Sequence, residues 1–138
     1  ALAAYGSDQT CEAYRKFCHL LGLAFQVQDD LLGIWGNSSL TGKSSQSDLV
    51  TGKITLPVMH GLSKSGKFAT RWRSGPISRS EIPDVIKLLE NEGTKDFIKN
   101  KTNELLNEAL LALEQAQPAG LAAESLESLA LSLVNRQS

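Results

Sequence analysis

Between Phe17 and Gly42 the chain carries two formally charged residues, and they are neighbours, Asp29 and Asp30. They lie in a run of Leu, Ala, Phe, Val, Ile and Trp, where an uncompensated carboxylate would be very costly. Advancing about 100° per residue along a helix, Arg15, His19, Gly22, Gln26, Asp29, Asp30 and Gly33 fall on one stripe. Phe17, Leu20, Leu21, Leu23, Ala24, Phe25, Val27, Leu31, Leu32 and Trp35 fill most of the remainder. The stripe is polar or very small and its surround is large and apolar. The expectation is a helix buried nearly all round, with one edge lining a cavity. Gly22 and Gly33 leave room there, and Gln26, Asp29 and Asp30 present polar groups to it. Two carboxylates at a cavity edge suit Mg²⁺ held by one or two acids plus substrate phosphates. The plainer alternative, a helix that happens to end in two acids, runs against the macrodipole, which disfavours negative charge at a C-terminus.

The elements that must position these groups follow from local signals. Ala1 to Tyr5 reads as the last turn of a helix, stopped by Gly6. Ser7, Asp8 and Thr10 are candidate caps for a helix running from about Asp8 to Trp35, long for a globular protein. Gly36 to Asp48 is a small, polar loop whose only cation is Lys43, and a lysine on such a loop can deliver a point charge to phosphate. Asp48 is a candidate cap for a first helical turn. Thr55-Leu-Pro57 marks a fresh helix start, with proline in the first turn where its missing N–H costs nothing. Lys53 stands just before it, while Met59 and His60 read as packing residues. Ser65 to Ser80, with Lys67, Arg71, Arg73 and Arg79, reads as a basic connector. Ser80 is the expected cap of a helix over Glu81 to Glu92, and Gly93 its stop. Thr94 is the expected cap of a longer helix to about Gln117, with Leu105, Leu106, Ala109, Leu110 and Leu113 inward. Pro118 and Gly120 break it, and Leu121 to Asn135 closes the chain with Leu126, Leu129, Leu133 and Val134 inward. No strand pattern or repeat is visible, so the fold class is all-α.

The bulk numbers remove several functions. At 138 residues the chain is one domain or part of one. A net charge of −1 leaves no electrostatic footprint for nucleic acid. No apolar run reaches the roughly 18 residues of a membrane span. Cys11 and Cys18 on one helix stand about 10 Å apart, too far to bridge. Free thiols suit a reducing, cytoplasmic setting, and two histidines give no zinc-ligand spacing.

Three stretches together carry a resemblance: Gly22-Leu-Ala-Phe-Gln-Val-Gln-Asp-Asp-Leu-Leu-Gly33, then Thr41-Gly-Lys43, then Asp48-Leu-Val-Thr-Gly-Lys-Ile-Thr-Leu-Pro57. They resemble the carboxyl half of the trans-prenyltransferases, the polyprenyl diphosphate synthases that make geranylgeranyl and farnesyl diphosphates. The resemblance implies the C-terminal part of the isoprenoid-synthase helical bundle around a central cavity, usually in a homodimer. It implies Mg²⁺-dependent condensation of isopentenyl diphosphate with an allylic diphosphate. Carried over by position, Asp29 and Asp30 match the second aspartate-rich motif and bind Mg²⁺. Gln26 matches the glutamine near the reacting diphosphate, and Lys43 and Lys53 match the two phosphate-contacting lysines. Residues 1–138 then form the carboxyl portion of one synthase domain whose amino-terminal half, with the first aspartate-rich motif, is missing. Such a fragment is expected to be inactive alone.

Two further departures bear on the site. The motif's third acid is Gly33, and the glycine expected after Lys43 is Gln46. They keep open a non-catalytic helical partner of a heteromeric prenyltransferase. A terpene cyclase, with the same all-α cavity, is disfavoured because its second metal motif would need Ser or Thr and Glu where this chain has Gly33 and Asn37.

Overall fold

The computed structural model describes residues 8–36, 47–116 and 120–134, side chains at 121 and 134 excepted. The expected helix end at 1–5, the loop with Lys43 and Gln46, and the break at Pro118 lie outside them. Among the described residues every regular element is helical. In order they are α1 (Asp8–Trp35), α2 (Asp48–Thr51), α3 (Leu56–Ser63), α4 (Lys67–Arg73), a 3₁₀ turn (Arg79–Glu81), α5 (Ile82–Asn91), α6 (Thr94–Ala116) and α7 (Leu121–Val134).

Helix α1 has the expected limits. Asp8 places an acid in its first turn, where the dipole favours it, and the Gly36 N–H donates to the Leu32 carbonyl at 2.9 Å to close the last turn. Its buried residues, Ala13, Phe17, Leu20, Leu21, Ala24, Leu31, Ile34 and Trp35, recur at helical spacing. It is not buried all round: Arg15, Cys18, His19, Gly22, Leu23, Gln26 and Asp29 form an exposed face. That face avoids charge over much of its length, and avoidance of charge was the whole basis for expecting burial.

The short elements after α1 correct the expected caps. Ser47, not Asp48, occupies the N-cap position of α2, and Asp48 is its first residue. Gly52 ends α2 at φ +72°, a conformation that favours glycine. Thr55, in extended backbone, precedes α3, and Pro57 sits in its first turn as expected. The basic connector contains a helix of its own, α4, because Phe68 and Ala69 are fully buried and Trp72 packs at 5.8 Å from Phe68. Beyond α4 the Arg71 guanidinium donates to Glu81, to the Gly75 carbonyl at 3.0 Å and to the Pro76 carbonyl at 2.9 Å. Ser78, not Ser80, then forms a capping box with Glu81. Gly93, at φ +78°, accepts the Phe97 N–H and so holds the cap position of α6. Thr94 is instead buried, with its hydroxyl 2.8 Å from His60 Nδ1. His60 stacks on Phe97 at 4.2 Å and is a packing residue, while Met59 is half exposed.

The chain divides into two compact units. One comprises residues 1–26 and 101–136, and its buried residues include Phe17, Leu20 and Ala24 of α1, Leu105, Leu106, Ala109 and Leu113 of α6, and Ala130 of α7. In α7, Leu129 is 48% exposed, contrary to expectation, and Leu126 and Leu133 are half-buried. The other unit is built on residues 27–100. Its core joins Leu31, Ile34 and Trp35 to Leu49, Val58, Phe68, Ile77, Ile82, Val85, Ile86, Leu89 and Ile98. Within it α3 packs on α4, and α4 on α5. The Trp35 indole Nε1 donates to Glu90 Oε1 at 3.1 Å, satisfying a buried donor across this core.

Candidate functional site

The end of α1 and the segment from Ser47 to Leu56 come together in the second unit. Asp30, 9% exposed, accepts the Leu56 N–H on Oδ2 at 3.2 Å. That N–H is one of the donors left without an intrahelical partner at the start of α3, so the carboxylate caps α3 from outside its own sequence neighbourhood. Asp29, its neighbour in the chain, is exposed. One acid is thus fixed by the fold and the other is presented outward.

Asp48 joins them. Its carboxylate lies directly against Gly33, where a Cβ would collide with Oδ2 and come within 2.7 Å of Cγ. Burial pushes the Asp48 carboxyl above its ordinary range; Lys53 opposes the rise, and Asp30 and Asp29 add to it. Asp48 therefore lies within electrostatic reach of Lys53, Asp30 and Asp29. The α2 turn sets this spacing: the Lys53 N–H donates to the Asp48 carbonyl at 3.1 Å, across the left-handed Gly52. On either side of this segment Ser47 Oγ and Thr55 Oγ1 are buried and have no hydrogen-bond partner among the described residues.

Of the residues selected from sequence, Asp29, Asp30 and Lys53 each lie within electrostatic reach of Asp48. Gln26 is exposed on α1, one turn before Asp29 and Asp30. Lys43 lies outside the described residues. Sequence reasoning gave Asp48 only the part of a helix cap; the available signal was its place at the head of the stretch from Asp48 to Pro57 that carries the resemblance.

The donor set is all oxygen, which suits a hard divalent cation. Among the described residues no three His, Cys, Asp or Glu side chains are arranged to hold an ion by themselves. A closed structural cage is therefore not the chemistry offered there. The residues fit an ion held by Asp29 and Asp30 and completed by phosphate oxygens.

A family model described as polyprenyl synthetase matches residues 1–89. Over 121 residues the chain is 35% identical to a geranylgeranyl diphosphate synthase of Mycobacterium tuberculosis, a match covering 84% of this chain and 35% of that protein. It is 32% identical over 145 residues to a (2E,6E)-farnesyl diphosphate synthase of Mycobacterium bovis, covering 99% of this chain and 40% of that one. Among solved structures, a polyprenyl synthetase from Streptomyces coelicolor A3(2) superposes with a TM-score of 0.79 at 28% identity, covering 94% of this chain and 42% of the other. A geranylgeranyl pyrophosphate synthetase from Pyrococcus horikoshii Ot3 gives 0.75 at 28% identity, covering 91% and 39%. The chain spans well under half the length of each of these relatives. No helix among the described residues is long and apolar enough to cross a membrane.

Proposed function

The chain belongs to the polyprenyl synthetase family, and from that premise we propose that it is the diphosphate-holding portion of a Mg²⁺-dependent prenyl diphosphate synthase. The reaction is condensation of isopentenyl diphosphate with an allylic diphosphate, carried out in the cytoplasm by the longer protein, as a homodimer. The observation that supports this reading is the hydrogen bond from the Leu56 N–H to Asp30, which joins the end of α1 to the start of α3, with Asp48 beside them under the influence of Lys53, Asp30 and Asp29.

Each residue has a role in that reading. Asp30, anchored by the Leu56 N–H, holds its carboxylate in fixed orientation. Asp29, exposed beside it, turns toward ligand. A bound Mg²⁺ supplies charge neutralisation to the diphosphate as it departs. Lys53, and Lys43 from the preceding loop, add positive charge where the leaving pyrophosphate becomes more negative, the interaction that lowers such a barrier most directly. Gln26 offers an amide to the same diphosphate from the preceding turn of α1. The isopentenyl double bond then attacks the allylic carbon as its bond to diphosphate oxygen breaks; loss of a proton completes the longer diphosphate.

The full-length protein, supplied with Mg²⁺, labelled isopentenyl diphosphate and allylic primers of increasing length, is expected to form an elongated product. Asp29→Asn and Asp30→Asn should each lower kcat/KM by about a hundredfold, the scale of losing one preorganised electrostatic contact. The second reading, a non-catalytic partner subunit, is favoured by Gly33 and Gln46. Absence of product with every primer would select it.

A further inference from the structure

Formal charge is spread very unevenly along this chain. From Leu49 to Ser80 there is no acid, while Lys53, Lys64, Lys67, Arg71, Arg73 and Arg79 supply six of the chain's 14 lysines and arginines. All 15 acids lie elsewhere. A net charge near zero therefore conceals a strongly basic segment, and asymmetry of this kind points to a charged partner surface. The fold puts much of that charge on α4 and its approach. Phe68 and Ala69 bury one side of α4, and Lys67, Thr70 and Arg73 are left exposed. Lys64, also exposed, ends α3, which packs on α4. Arg71 is committed elsewhere, to Glu81 and to the carbonyls of Gly75 and Pro76. Trp72, half-buried between two arginines in the chain, walls a cavity of about 310 Å³ together with Leu49, Val50, Pro76 and Ile77. Cations thus stand beside an apolar hollow, in a segment with no acid of its own to neutralise them.

We propose that this face docks peripherally on an anionic lipid bilayer, with Lys64, Lys67 and Arg73 against the headgroups and Trp72 at the headgroup boundary. Clustered lysines and arginines respond to the negative potential of such a surface. Tryptophan, with an apolar ring and a polar edge, suits that depth. The end of an acyl chain fits the hollow: an apolar cavity of about 150 Å³ holds one benzene, so this one takes roughly ten carbons. Nucleic acid would meet the same cations, but it has no hydrocarbon chain for the cavity. The acidic remainder of the chain is repelled by the same surface, so charge orients the molecule as well as attracting it. Docking of this kind is independent of the metal–diphosphate site.

The test is co-sedimentation of the full-length protein with vesicles of mixed phosphatidylcholine and phosphatidylglycerol, against vesicles of phosphatidylcholine alone, with thermal unfolding measured alongside. Binding is expected to the anionic vesicles only, and it should weaken as salt rises and screens the charges. One basic residue near such a surface is worth about fivefold in affinity, so the triple variant Lys64→Gln, Lys67→Gln, Arg73→Gln should bind about a hundredfold more weakly. The control Lys16→Gln, Lys99→Gln, Lys101→Gln removes the same charge from exposed positions on α1 and α6 and should lose far less. All six side chains are exposed, so both variants should melt with the parent. The proposal is overturned if the parent does not bind anionic vesicles, if the two triple variants bind them equally, or if the parent binds a DNA duplex and no vesicle.

Discussion

Asp30 is asked to do two things, and they can be separated. It caps the start of α3 through the Leu56 N–H, and it carries charge for a cation. Asp30→Ala removes both. The N–H it leaves behind is part-buried, and an unsatisfied buried donor costs about 1–3 kcal/mol. At 3.2 Å the bond lies at the long end of the N–H···O range, so a loss of about 2 kcal/mol is expected, typical of a lost helix cap. Asp30→Asn keeps a carbonyl oxygen for the same N–H. It gives up the charge–dipole contribution of about 0.3–1 kcal/mol but also relieves repulsion with Asp48 and Asp29. Its stability in Mg²⁺-free buffer should lie within about 0.5 kcal/mol of the parent, while Mg²⁺-dependent pyrophosphate binding is lost as completely as in the alanine variant. Chemical denaturation and pyrophosphate calorimetry on the same preparations read the two quantities. An alanine variant no less stable than the asparagine variant would refute the capping role; an asparagine variant that still binds would refute the electrostatic one.

Two structural predictions accompany those already attached to prenyl transfer. Gly61→Ala in α3 would put a Cβ 2.5 Å from Phe68 Cδ1 and 2.8 Å from Leu89 Cδ2, both on fully buried side chains. Alanine gains about 1 kcal/mol in helix propensity, whereas overpacking costs about 1–3 kcal/mol; a lower denaturation midpoint is expected, and a raised one would show that this core yields. Glu81 is held at about 2, below its ordinary 4.5, chiefly by the Arg71 side chain and then by Ser78. Its folded pKa is depressed, so its contribution is fully present above pH 4.5 and is lost as pH falls toward 2. The parent should therefore lose stability more steeply than Glu81→Gln across that window, and the two slopes should converge below it; parallel slopes would rule out the Arg71–Glu81 staple.

What could be read from sequence was what local physics determines. The limits of α1 rest on an acid in its first turn and a glycine at its end, and the start of α3 on Thr55 and Pro57; each signal acts within a turn of the boundary it marks. Helix α4 was hidden because its apolar residues, Phe68, Ala69 and Trp72, are few and set among lysines, arginines and glycines, so composition pointed to a connector. Ser78 was overlooked for Ser80 because serines at 74, 78 and 80 all offer an oxygen, and only the Arg71–Glu81 pairing selects the one at the helix start. Leu129 matched an inward stripe in α7 yet is exposed, since a helical period says which residues share a face and not which face is covered. The same distinction corrects α1: a face without charge can still face water.

The site divides along the same line. Asp29 and Asp30 are legible because the oddity is local, two acids inside an apolar helix. Asp48 is not, because it lies fifteen residues along the chain from Gly33 and no period relates the two. Burying an acid near two others is unfavourable and persists only where something compensates it. Asp48 lies beside Gly33 with its carboxyl pushed up by burial, Lys53 opposing that rise and Asp30 and Asp29 adding to it; a helical period drawn along α1 alone contains none of that balance, because Asp48 and Lys53 belong to another segment of the chain.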